Sequence, residues 1–460
     1  MGGPERLTHV DASFLYLERP GMPMHVGGVS VLDPSTRPDG RLPFEEVRRT
    51  LAARIHLAPR LRQRVLEVPL GLARPVWVDD ERFDLDYHLR RAALPAPGGR
   101  AELADAVGRA LSQPLDRTRP LWELHVFEGL EGGLAAVLLK VHHAMADGIS
   151  VMRVAQAMFD LEPEPRRPAE PEPWRPTPPP SPGALVRDAV LEGLADPADA
   201  LRRAALAPRV AAAGVAGVLA GAIRILGMGP PPRGPFDAPV GTGRRFAMAD
   251  APFERFRAIE RALGGTVNDV VLTVVAGAIH DLLRARREPT RGRTLRVMVP
   301  VSLRARDERD LVGNRIAPAF VDVPVGPMSP RRRHAAVRRA AAHLRGTALG
   351  ADAVLGLGAL APPVLLAAAA RLVSRGRWFN VVVSNVPAPQ VPVYLCGARL
   401  LASYPAMPLA ENVALSIGCT SLAGTMAFGL TGDRDAMRDL DRLALAIEEQ
   451  VEALAKAAGV

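Results

Sequence analysis

The segment EPEPRRPAEPEPWRPTPPPSP, from Glu162 to Pro182, limits the fold more than any other stretch of this chain. Proline fixes φ and carries no amide proton, so this density forbids a helix or a central strand and favours an extended, semi-rigid tether. An Ala/Leu/Arg-rich helical stretch is expected from about Leu185 to Leu226, closed by a second breaker, GPPPRGP, from Gly229 to Pro235. The expected organisation is therefore an N-terminal part over 1–162, a connection with structure of its own over 163–234, and a C-terminal part over 235–460. With 48% hydrophobic and 23% charged residues, each large part can bury a sizeable core.

The formal net charge of +9 comes almost wholly from arginine, because lysine occurs only at Lys140 and Lys456. Such charge suits nucleic acid, anionic lipid or a phosphorylated ligand. No basic run carries the interleaved aromatics on which single strands stack, so no nucleic-acid partner is expected. Cys396 and Cys419 lack metal-ligand spacing and read as small buried hydrophobes. The apolar stretch Val210 to Ile223 lies between Arg209 and Arg224 and is shorter than the roughly 18 to 20 residues a membrane span needs. Ala353 to Ala370 is long enough but is broken by Pro362 and Pro363. With no leader pattern at the N-terminus, a cytoplasmic protein is expected. Peripheral contact with the inner membrane or a lipid droplet surface stays open.

The run GGLAAVLLKVHH reads as a strand behind the turn signal Gly132-Gly133, with Ala135, Val137, Leu139, Val141 and His143 on one face and Ala136, Leu138, Lys140 and His142 on the other. From about Ile149 to Leu161 the period turns helical, with polar residues confined to a stripe of Arg153, Gln156 and Asp160. In the C-terminal part VNDVVLTVVAGAIHDLL reads as a buried helix capped by Asn268 or Asp269. LRVMVPVSL and WFNVVVSNVP read as strands, and an amphipathic helix is expected from Asp435 onwards. Strands and helices intermix in both parts, so the class is α/β.

The chemistry-bearing signal is His142-His143-Ala144-Met145-Ala146-Asp147-Gly148 at the strand-to-helix junction. Chance occurrence of His-His-x-x-x-Asp-Gly in such a chain is on the order of one in a thousand. A histidine ending an apolar face can be desolvated yet open to a cleft, which suits a general base. The bland alternative is a structural histidine satisfied by backbone carbonyls, with Asp147 as a helix cap. No G-x-S-x-G elbow occurs, and Ser150 is the nearest serine, so a nucleophilic serine is poorly supported. The further His or Cys of a zinc site are missing, and no metal is expected.

These residues, taken together, resemble the wax ester synthase/diacylglycerol acyltransferases, distant relatives of peptide-synthetase condensation domains and of chloramphenicol acetyltransferase. The likeness covers nearly the whole chain: LTHVDASFLYLERPGMPMHVGG from Leu7, Pro120-Leu121-Trp122, His142 to Gly148, Asn268-Asp269, VPVSLR ending at Arg304, GNRIAP from Gly313 and SNVPAP from Ser384, in the family's order. The chain departs from the pattern at Ala388, where the family often has Gly. The resemblance implies two chloramphenicol-acetyltransferase-like domains with a tunnel between them, and acyl-CoA as co-substrate with a lipid alcohol as acceptor, without a cofactor. It implies His143 as general base, with His142, Asp147 and Gly148 completing the catalytic motif. Arg304, pairing with Asp147, would support the site from the second domain, as would Asn268 and Asp269. Triacylglycerol or wax ester synthesis is the leading expectation. A condensation-like transfer to an amine, polyketide or sugar hydroxyl, and a silent lipid-binding homologue, are the alternatives.

Overall fold

A computed structural model describes residues 4–146, 153–155, 157–166, 173–194, 229–302, 316–345 and 377–460. Its strands form two six-stranded sheets and a small two-stranded one. The first sheet runs, edge to edge, through Tyr394–Leu395, Ala398–Ala406, His25–Asp33, Ala135–His142, Trp122–Glu128 and Leu89–Ala93. Strand Ala135–His142 lies near its middle, antiparallel to both neighbours. Both of its faces are covered, as its near-continuous apolar run requires. Ala135, Val137 and Val141 join a core with Leu121, Trp122 and Val126, while Ala136 and Leu138 join another with Val107 of helix Arg100–Ser112. Gly27 of the neighbouring strand faces Lys140 in register, and a Cβ there would overlap the carbonyl oxygen of Leu139. Only glycine permits that close an approach.

The second sheet runs through Arg244–Pro252, Thr425–Asp433, Leu415–Leu422, Val381–Pro387, Thr294–Ser302 and Ile316–Pro324. Val381–Pro387 is parallel to both its neighbours and the other pairs are antiparallel. Helices Val267–Ala285 and Leu440–Ala458 bury their apolar faces against this sheet and each other, through Val271, Val275, Ile279, Leu443, Ile447 and Val451 among others. Each such side chain contributes roughly 1.5 to 3 kcal/mol on burial. The α/β class expected from the sequence is what the structure shows.

Several local expectations are corrected. The cap of helix Val267–Ala285 is Thr266, not Asn268 or Asp269. Its hydroxyl accepts from the Asp269 amide at 3.2 Å, and the Asp269 carboxylate accepts from the Thr266 amide at 2.8 Å, a reciprocal box. The last helix begins at Leu440, because the Asp433 carboxylate takes the amides of Asp435 and Ala436 at 3.0 Å each and holds a turn there. Asp160 is not on a solvent stripe: it is buried, paired with Arg54 at 2.9 Å and Arg166 at 2.7 Å. The proline-rich segment is fastened where it is described, with Arg62 over the Trp174 ring at 4.7 Å and the Thr177 amide on Asp79 at 2.9 Å. Helix Pro182–Leu194 follows it.

Sheets and sequence halves do not coincide, because Tyr394–Leu395 and Ala398–Ala406 complete the first sheet from the second half of the chain. The halves also meet at Arg100, which pairs with Asp250 at 2.6 Å and Glu448 at 2.8 Å, while the Tyr404 hydroxyl donates to Asp250 at 2.7 Å. Among the described residues no single helix is long and apolar enough to cross a membrane. The stretches 210–223 and 353–370 lie outside the described residues.

Candidate active site

His142 closes the strand Ala135–His142, and His143 opens a single tight turn, His143–Met145. Two backbone bonds pin the pair from opposite sides. The His142 amide donates to the Leu121 carbonyl at 2.9 Å, and the His143 amide donates to the Met24 carbonyl at 2.8 Å. The segments Pro120-Leu121-Trp122 and Pro23-Met24-His25 thus clamp the turn from neighbouring strands. The Trp122 indole donates to the Leu61 carbonyl at 2.8 Å and its ring stacks on His88.

The two imidazoles differ in what remains free. His142 is wholly buried, and its Nδ1 accepts from the Ala144 amide at 3.0 Å. That bond needs a lone pair on Nδ1, so the neutral ring carries its proton on Nε2, which faces the Glu18 carboxylate at 3.5 Å. Glu18 also accepts from the Met24 amide at 3.3 Å. Burial pushes the Glu18 carboxyl up, but the contacts with His142 and Met24 outweigh it and hold the group below the ordinary carboxylate range. Glu18 therefore orients the His142 ring and steadies the segment that takes the His143 amide.

His143 is half-buried and lies flat on Phe14, ring centroids 3.7 Å apart and planes 16° apart. Phe14 comes from helix His9–Leu17, whose N-cap Thr8 accepts from the Asp11 amide at 3.1 Å. Burial pushes the imidazole down to about 4, against a smaller opposing effect of its own backbone carbonyl. Nδ1 is buried, and among the described residues no other residue hydrogen-bonds it. A proton on Nδ1, facing that carbonyl, leaves the Nε2 lone pair available.

Behind the pair, His25 lies opposite His142 in register and is pushed down to about 3 by burial and then by the Lys140 charge. Lys140 is wholly buried, paired with Glu123 at 2.7 Å, and donates to the carbonyls of Ala110 and Gln113 at 3.2 Å each. It anchors the C-terminal end of helix Arg100–Ser112 to the strand that carries the histidines. Cys396 and Cys419 are both fully buried.

Of the expected site residues, the structure places His142 and His143 in one turn. Among the described residues Asn268 and Asp269 make no hydrogen bond or ion pair with them. Asp147, Gly148, Ser150 and Arg304 lie outside the described residues. Glu18, Phe14 and Met24 went unnamed at the level of sequence, although all three stand in the segment from Leu7 to Gly28. Their signal was position within that motif, not residue chemistry.

Residues 7–271 match the wax ester synthase/diacylglycerol acyltransferase catalytic domain, and residues 312–455 match the C-terminal domain of the same family. The chain belongs to this family. A Mycobacterium tuberculosis protein named "Probable diacyglycerol O-acyltransferase tgs2" is 35% identical to this acyltransferase over 98% of both chains. The solved wax ester synthase/diacylglycerol acyltransferase of Marinobacter aquaeolei is 28% identical, with a TM-score of 0.69, and covers 99% of this chain and 100% of that one. The first condensation domain of the calcium-dependent antibiotic synthetase, 19% identical with a TM-score of 0.57 over 99% of this chain and 97% of that one, shares the fold. As a member of the family the protein is an acyl-transferring enzyme of the triacylglycerol and wax ester synthase type.

Proposed function

We propose that His143 is the general base of a direct acyl transfer from acyl-CoA to the hydroxyl of a lipid alcohol, with diacylglycerol the leading acceptor and long-chain alcohols second. The observation that carries this reading is the asymmetry of the pair: wholly buried His142 has Nδ1 bonded to the Ala144 amide and Nε2 turned to the Glu18 carboxylate at 3.5 Å, whereas His143 is half-buried on Phe14 and, among the described residues, its Nε2 is in no hydrogen bond or ion pair. Nε2 removes the hydroxyl proton as the alcohol oxygen attacks the thioester carbonyl. Collapse of the tetrahedral intermediate breaks the carbon–sulfur bond, and the imidazolium returns the proton to the thiolate. The products are an ester and free coenzyme A, and the balance needs no cofactor. A positioned base of this kind contributes roughly a hundred- to ten-thousand-fold, and alignment of the two substrates supplies more. The low basicity of His143 keeps the ring unprotonated at neutral pH, ready to accept.

Purified protein supplied with palmitoyl-CoA and, separately, diacylglycerol, hexadecanol and a long-chain amine tests the reading. Ester formation with the first two supports it. Amide formation alone would move the chain to condensation-like chemistry, and no product with any acceptor would leave it a lipid-binding homologue.

A further inference from the structure

We propose that the polar pocket lined by Arg64, Asp80, Glu81, Arg82, Thr118 and Arg119 binds the adenosine 3',5'-bisphosphate end of coenzyme A. This rests on the acyl-CoA reading above and adds the place where the donor's phosphates are held.

Three guanidiniums line this pocket beside the carboxylates of Asp80 and Glu81, and among the described residues none of the three is in an ion pair. Arg64 and Arg82 side chains make no hydrogen bond or ion pair among the described residues. The Arg119 side chain, among the described residues, donates only to the Arg82 carbonyl, at 3.1 Å, and packs on the Tyr87 ring at 4.8 Å. Elsewhere in the chain arginine is commonly paired with a carboxylate, as at Arg48–Asp86, Arg91–Glu128 and Arg286–Asp439. Arg119 is thus held in place by an aromatic face and a carbonyl while its charge stays available. Guanidinium groups suit phosphate because their parallel N–H donors match its oxygens.

The pocket also asks for donors from its ligand. Asp80 is buried, its Oδ1 accepts from the Arg82 amide at 3.2 Å, and its Oδ2 is buried with no hydrogen-bond partner among the described residues. An unpartnered buried carboxylate oxygen repels a bare phosphate and is satisfied by an N–H or O–H. A nucleotide carries both halves of that requirement: phosphates for the arginines, a ribose hydroxyl or adenine amino group for Asp80.

Its position relative to the catalytic turn fits a long, flexible pantetheine arm. Arg119 is two residues before Leu121, whose carbonyl takes the His142 amide, so its Cα lies within about 17 Å of that of His143, counting about 3.8 Å per residue and about 5 Å across the bond. Arg64 is tied to the same segment by the bond from the Trp122 indole to the Leu61 carbonyl. That upper bound keeps the pocket within reach of a thioester at the far end of an extended pantetheine arm.

The test compares wild type with Arg64→Gln and Arg82→Gln, two residues whose side chains are in no hydrogen bond or ion pair among the described residues, with circular dichroism confirming the fold. The first readout is the ratio of kcat/KM for palmitoyl-CoA to that for S-palmitoyl-pantetheine, which lacks the nucleotide. The expected result is a fall of about tenfold in this ratio for each variant, the loss of one charge-assisted contact. The second readout, calorimetric binding of coenzyme A and of inorganic phosphate without acceptor, does not depend on turnover. Coenzyme A should bind wild type tightly and each variant about tenfold more weakly, and inorganic phosphate should bind poorly to all. An unchanged ratio with unchanged coenzyme A binding overturns the pocket assignment while leaving the transfer reading intact. Equal binding of inorganic phosphate and coenzyme A, or arginine-dependent binding only to phosphatidic acid vesicles, also overturns it. Arginine-dependent coenzyme A binding with no transfer to any acceptor supports the pocket and sinks the acyltransferase reading instead.

Discussion

The imidazole of His143 lies flat against the ring of Phe14, centroids 3.7 Å apart. The contact shields one face of the base from water, fixes its plane, and fits the low basicity that burial imposes on it. On the proposed mechanism, helix His9–Leu17 belongs to the active site, although it carries no reacting group.

Replacing Phe14 with alanine opens that face. With the folded value of His143 at about 4, the base is unprotonated throughout the neutral range, and the acid limb of kcat/KM in wild type should lie near pH 4. In Phe14→Ala the limb should move up toward the ordinary histidine value of about 6.5, with kcat lowered by loss of alignment. A pH–rate profile checks this; a limb at the same pH in both proteins would show that Phe14 does not set the environment of the base.

The same burial makes the fold sensitive to acid. His25 at about 3 and His143 at about 4 bind protons more weakly folded than unfolded, so the unfolded state takes up the extra protons. Stability is fully present above about pH 6.5 and falls as pH drops toward 4, by roughly 1.4 kcal/mol per pH unit for each histidine. Urea unfolding at pH 6 and pH 5 should show this slope, and His143→Ala should reduce it without abolishing it, because burial also pushes down His25, His88 and His9.

The Lys140–Glu123 pair should behave as a unit. Burial raises the Glu123 carboxyl, but the hydrogen bond from His125 and the charge of Lys140 bring it down to about 2. Lys140→Met leaves the carbonyls of Ala110 and Gln113 without their donor and Glu123 with only the longer contact to Arg90 at 3.4 Å and the bond with His125, a loss of up to roughly 3 kcal/mol. Lys140→Met combined with Glu123→Gln should recover part of that in denaturant titrations, and strictly additive losses would show that the two are not coupled.

Direct transfer leaves no acyl-enzyme. Both cysteines are fully buried, and burial pushes each thiol up, away from the thiolate a nucleophile needs. Intact-mass measurement after mixing with palmitoyl-CoA in the absence of acceptor should give the unmodified chain. A stable gain of one acyl group, lost on adding alcohol, would overturn the mechanism.

Much of this architecture was legible in the sequence because its signals are local. The period-two pattern of Ala135 to Val141 distributes those residues over two cores as the alternation requires. The 3.6-residue pattern of Leu440, Leu443, Ile447, Val451 and Leu454 marks the packed face of the last helix. What stayed hidden depends on contacts between distant segments. Nothing local says that Phe14 and Glu18 meet the histidine pair, or that Ala398–Ala406 crosses to the first sheet. Asp160 reads as a solvent-facing acid until Arg54 is brought beside it. Thr266 is a local signal that the assignment of the cap to Asn268 or Asp269 passes over: Thr-Val-Asn-Asp is a capping box, and the hydroxyl two residues before Asn268 is the cap.

The central claim is that the two adjacent histidines have different work, and a side-by-side comparison of His143→Ala and His142→Ala tests it most directly. The measurement is kcat for ester formation from palmitoyl-CoA and diacylglycerol or hexadecanol, with the unfolding midpoint of each variant recorded alongside. His143→Ala should keep its fold and lose activity by roughly a hundredfold or more, the worth of a positioned base. His142→Ala should retain more activity but lose roughly 1 to 3 kcal/mol of stability, because the Ala144 amide loses its acceptor and Glu18 keeps only the Met24 amide. Equal activity in the two variants, or an active His143→Ala beside an inactive, stable His142→Ala, would contradict the account.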